Sequence, residues 1–77
     1  MISWREYVAN YIKSYPIVTF KFQDGVEFGV GAGEDFDKDS IYCGEYVISF
    51  IDIGKSIEYP YHSIIKIIKY GETQWIR

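Results

Sequence analysis

The chain has 77 residues, a net charge of −3, 48% hydrophobic and 19% aromatic residues, and one cysteine. That length allows one domain (1–77), and that apolar content excludes a disordered chain. A lone cysteine, Cys43, excludes an internal disulfide and a four-cysteine zinc site.

The first element is a helix over about residues 3–14. Ser3 followed three residues later by Glu6 is a capping box, and Ile2 and Tyr7 occupy the staple positions around it. Trp4, Tyr7, Val8, Tyr11, Ile12 and Tyr15 recur at helical spacing and predict one apolar stripe lying on a core. Pro16 biases Tyr15 out of helical geometry, which ends the helix near Ser14. The stripe also suits a partner surface. It lacks the Lys/Arg-rich polar face expected of a helix lying on lipid.

Residues 17–23 alternate, with Val18, Phe20 and Phe22 on one face and Thr19, Lys21 and Gln23 on the other. Asp24-Gly25 predicts a two-residue type I′ hairpin. Val26, Phe28 and Val30 continue a partner strand, and Gly29, Gly31 and Gly33 signal a bulge, a bend or close backbone approach. Residues 34–40 read as an acidic loop. Residues 46–53 form a strand with Tyr46, Ile48 and Phe50 facing one way and Val47, Ile51 and Ile53 the other. Gly54-Lys55 turns the chain into a short strand over 56–59. After Pro60 comes a tight corner at 61–63, then a last strand over 64–70 and a short tail over 71–77. The expected architecture is mainly β with one N-terminal helix: a small, strongly bent, five-stranded antiparallel barrel over about 17–70.

The charge is uneven. From residue 23 to residue 47 there are seven acids (Asp24, Glu27, Glu34, Asp35, Asp37, Asp39, Glu45) and one base, Lys38. A general duplex-DNA binder shows a basic face instead. Asp35, Asp37 and Asp39 have the alternate spacing of half a calcium loop, but Ser40 stands where the sharp turn needs glycine and no helices flank the segment. The same three aspartates suit a basic protein partner. His62 is the only histidine, so no two-histidine metal site exists, and Cys43 has no adjacent base. No catalytic constellation and no cofactor fingerprint stands out. No apolar run reaches the roughly 20 residues of a membrane span. The first residues lack a signal-type stretch, so the expected location is cytoplasmic.

A helix, five short strands and a tight turn before the last strand resemble the Sm-like (Hfq-like) small β-barrel family. The matching residues are Asp24-Gly25 in the first hairpin, Gly31 along the second strand, Phe36-Asp37 one place later than the family has them, His62 at the last turn and Ile64 opening the final run. Tyr61 stands where Hfq-like chains carry an RNA-contacting lysine, and the spacer from Asp37 to His62 is longer. The resemblance, or an SH3-like relative of it, implies a non-catalytic barrel that binds single-stranded RNA as a homo-oligomer. The implied RNA residues are Phe36, Tyr61, His62 and Lys66, with Lys69 and Lys55 near phosphate. The implied subunit contacts join the strand over 56–59 to the last strand, through Ile57, Tyr59, Ile65 and Ile67. The competing expectation is a protein-interaction module, or a small inhibitor of phage or mobile-element type, that uses Asp35, Asp37 and Asp39.

Overall fold

A computed structural model describes residues 2–70; the expected tail over 71–77 lies outside the described residues. Helix α1 spans Trp4–Ser14. Its capping box is formed: Ser3 Oγ accepts from the Glu6 N–H at 3.2 Å, and the Ser3 N–H donates to Glu6 Oε1 at 3.3 Å. Tyr15 leaves helical geometry ahead of Pro16, with φ −118° and ψ 145°. Ser3→Ala should lower stability by about 0.5–2 kcal/mol, read by denaturant unfolding, because a helix start loses an oxygen acceptor.

Six strands follow: β1 Ile17–Phe22, β2 Glu27–Val30, β3 Ile41–Cys43, β4 Val47–Asp52, β5 Lys55–Pro60 and β6 Ile64–Tyr70. They do not form a five-stranded barrel. They make two separate three-stranded antiparallel sheets, ordered β2-β1-β6 and β3-β4-β5. The physical reason lies at the outer edge of β2. The 31–36 loop folds back on it, with Phe36 bridging Val30 in parallel. The Phe36 N–H donates to the Gly29 carbonyl at 3.0 Å and the Gly31 N–H to the Phe36 carbonyl at 2.9 Å. The Gly29 N–H donates to Asp35 Oδ2 at 2.9 Å. This loop occupies backbone groups that a closed barrel would give to the next strand.

The sheets bury their facing sides. Val18, Phe20 and Phe22 from β1, Val30 from β2, and Ile48 and Phe50 from β4 are fully buried. Ile41, Cys43, Ile57, Tyr59, Ile64 and Ile67 pack around them, and Val8 and Ile12 of α1 close one end. Ile64 and Ile67 both face the core although they are three positions apart. The register of β1 against β6 moves from Lys21 opposite Lys66 to Phe22 opposite Ile64, so Ile65 is the extra residue of a β-bulge. That bulge replaces the simple alternation expected for the last strand. Tyr46 likewise does not share the inward face of Ile48 and Phe50: it precedes β4 and is 76% exposed.

The first hairpin sits where Asp24-Gly25 places it, but the turn is not type I′. Only glycines have positive φ among the described residues, and Gly25 has φ 91°. The Gly25 N–H donates to the Phe22 carbonyl and the Phe22 N–H to the Val26 carbonyl, both at 2.9 Å. This is the three-residue hairpin loop, a type I turn followed by a left-handed glycine. Asp24 then serves twice: Oδ1 accepts from the Val26 N–H at 3.0 Å and Oδ2 from the Tyr59 hydroxyl at 2.8 Å. The second bond joins one sheet's turn to the other sheet.

The Val26 N–H foremost, then the Tyr59 hydroxyl, hold the Asp24 carboxyl below its ordinary value of 3.8. A lowered folded pKa gives stability that is complete above the ordinary value and lost as pH falls through the lowered one. Asp24→Asn should therefore lower the melting temperature at pH 7 and leave a smaller difference from the parent chain at pH 3. An equal difference at both pH values would mean that the charge contributes nothing.

Candidate functional site

Of the apolar helix stripe, only Val8 and Ile12 are buried. The aromatic members lie to one side of that contact and form a connected ridge. Trp4 meets Tyr7 edge to face at 5.8 Å, Tyr7 meets Tyr11 the same way at 5.0 Å, and Tyr11 stacks on Tyr15 at 5.8 Å. Spacings of three and four residues bring these rings one above the next. The Tyr7 and Tyr11 hydroxyls lie 3.2 Å apart, and that hydrogen bond is the main reason the Tyr7 hydroxyl titrates above its usual value. Lys69 Nζ, from β6, stands 5.4 Å from the ring centres of both Tyr11 and Tyr15. The ridge is open to solvent at Trp4 and Tyr7, 47% and 44% exposed, while Tyr11 and Tyr15 are half-buried against the core; Asn10 and Ser14 line the shallow depression beside it.

At its N-terminal end the ridge runs into a cleft. Trp4 lies parallel to Tyr61, with ring centres 6.2 Å apart and planes 3° apart. Tyr61 sits in the 3-10 turn Tyr61–Ser63 between β5 and β6 and is 3% exposed. Its hydroxyl donates to the Gly44 carbonyl at 2.7 Å. Its N–H donates to the Tyr46 carbonyl at 3.3 Å, and the Gly44 N–H donates to the Val47 carbonyl at 2.9 Å. These bonds tie 44–47 to the turn and fix the cleft floor. Trp4, Glu45, Tyr46, Val47, Pro60, Tyr61 and His62 line a space of about 390 Å³. Burial, foremost, pushes the Tyr61 hydroxyl far up, with Cys43 adding to it. Burial likewise raises the Cys43 thiol, so at neutral pH it is a protonated packing group.

The four expected RNA residues do not come together. Phe36 is half-buried against Phe28 and Phe50, at 5.1 and 5.3 Å between ring centres. Tyr61 is buried, His62 is exposed at the cleft rim, and Lys66 is exposed opposite Lys21 on the outer face of the first sheet. Of the expected subunit contacts, Ile57, Tyr59 and Ile67 pack inward, Tyr59 stacking on Phe22 at 4.0 Å. Ile65 is 56% exposed. Asp35 holds the β2 loop, while Asp37 caps nothing with its side chain and Asp39 is exposed. Among the described residues no three His, Cys, Asp or Glu side chains gather as a metal group. No described helix is long and apolar enough to cross a membrane.

The ridge residues were all visible in the sequence as a helical stripe, but their exposure was not. Tyr46 and Glu45 come to the cleft through a turn distant in sequence, which no local pattern announces. Set against known proteins, the chain matches no family model, no curated protein and no solved structure.

Proposed function

We propose that the chain is a non-catalytic protein-interaction module whose contact surface is the aromatic ridge of α1 and the cleft at its end. One observation carries this reading: a connected row of aromatic rings, Trp4, Tyr7, Tyr11 and Tyr15, runs along α1 and its C-cap, rooted on the core by Tyr11 and Tyr15 and exposed at Trp4 and Tyr7. Trp and Tyr bring large contact area at low entropic cost, and Asn10, Ser14 and Ser3 beside them add adaptable hydrogen bonding. A single-stranded nucleic acid would also stack on such rings, but it needs a cationic groove along its backbone. Lys69 stands against the ridge, where it faces two tyrosine rings rather than a groove.

The test is a paired one. Trp4→Ser with Tyr7→Ser should leave the fold intact and release a protein partner that the parent chain retains from its own cells. Short U-rich and A-rich RNAs should not bind the parent chain at tens of micromolar. Saturable RNA binding that the double substitution removes would overturn the reading.

A further inference from the structure

The cleft at the end of the ridge differs in chemistry from the ridge itself. Trp4, which stacks on Tyr61 and is half exposed, and Tyr46, which is 76% exposed, both line the cleft. The buried Tyr61, with Val47 and Pro60, completes its apolar lining. Glu45 is the only carboxylate among the lining residues, His62 the only other ionisable group there besides the phenols, and no Lys or Arg lines it. Arg5 acts on Tyr61 electrostatically but is not among the lining residues. Glu45 also belongs to the acid-rich stretch from residue 23 to residue 47.

We propose that this cleft receives an arginine side chain presented by a protein partner, an assignment that rests on the protein-interaction reading above. A guanidinium is attracted to the negative face of an indole or phenol ring, Trp being the strongest acceptor. Its planar, weakly hydrated fork stacks on such a ring while still donating to a carboxylate, which a lysine ammonium cannot do in the same plane. Trp4 and Tyr46 supply the faces and Glu45 the carboxylate. The floor is set before any ligand arrives, because the Tyr61 hydroxyl and N–H and the Gly44 N–H are all bonded to the 44–47 backbone. A preformed site loses little freedom on binding. The remaining occupants are poorer matches. An anion would meet Glu45 as well as His62, and an apolar side chain would make no use of the carboxylate.

The experiment titrates the full chain with N-acetyl-arginine methyl amide, its neutral isostere N-acetyl-citrulline methyl amide, and N-acetyl-proline methyl amide, following the Trp4 indole N–H and the Tyr46 ring by NMR. The arginine amide should shift both signals saturably at millimolar concentration. It should bind about tenfold more tightly than the citrulline amide, the size expected of a cation–π contact with a carboxylate beside it. Glu45→Gln and Tyr46→Ala, at exposed positions outside the core, should each weaken the arginine amide several-fold and leave the melting temperature unchanged. Equal binding of the citrulline or proline amide would overturn the assignment, as would an arginine response that survives both substitutions. Either failure would leave partner retention through Trp4 and Tyr7 standing. Loss of partner retention with a positive arginine titration would locate the failure in the ridge instead.

Discussion

Phe50→Ala should unfold much of the protein at physiological temperature. Phe50 is fully buried and is the ring on which both sheets converge. It meets Phe28 at 4.9 Å, Phe36 at 5.3 Å, Phe22 at 5.8 Å and Phe20 at 6.2 Å between ring centres. Truncating a buried phenylalanine costs about 3–5 kcal/mol, transfer and cavity together. A domain of this length is stable by only roughly 4–12 kcal/mol. The two sheets share no strand ladder, so side-chain packing is the main thing joining them. Urea unfolding followed by circular dichroism should show a midpoint collapsing toward zero denaturant. A loss under about 1 kcal/mol, far short of that cavity cost, would mean that Phe50 does not sit at the centre of the core.

Gly31→Ala should be the most damaging single methyl addition. Gly31 has φ 145°, and a Cβ there would lie 2.5 Å from the Pro16 carbonyl oxygen and 3.3 Å from the Ile17 Cα. Neither neighbour can swing away, because both are backbone atoms at the start of β1. An alanine at such a position carries about 1–3 kcal/mol of conformational strain before any clash. The same position starts the loop that covers β2, so the displaced backbone would also lose the Gly31–Phe36 bond. The melting temperature should fall by several degrees, and amides of 29–36 should exchange faster. An unchanged melting temperature would mean that β2 and the segment linking α1 to β1 are farther apart.

The local signals in the sequence translated directly into structure. Ser3 and Glu6 cap the helix, Pro16 ends it, and the alternation of Val18, Phe20 and Phe22 is the buried face of β1. These features depend on neighbours a few residues away. The features that were not legible depend on distant choices. Closure into a barrel turned on whether the edge of β2 met a strand or its own loop, and Gly29, Asp35 and Phe36 settle that only in three dimensions. The Ile65 bulge is invisible in Ile64-Ile65-Lys66-Ile67-Ile68, because isoleucines on both sides conceal a change of face. β3 is three residues long, too short for alternation to announce it. At the site, Trp4, Tyr7, Tyr11 and Tyr15 matched a core stripe by spacing. The stripe was wider than the surface available to it, so Val8 and Ile12 took the core, Tyr11 and Tyr15 met its margin, and Trp4 and Tyr7 were left exposed along the flank.

The central claim is that the flank of α1 meets another protein. A photo-crosslinking residue placed at Asn10, beside the ridge, leaves the four rings intact; one at Lys66, on the outer face of the first sheet, serves as the comparison. Irradiation in cells making the chain should give a discrete, nuclease-resistant protein adduct from position 10 and none from position 66. Nuclease-sensitive adducts at position 10, or no adduct there at all, would contradict the account.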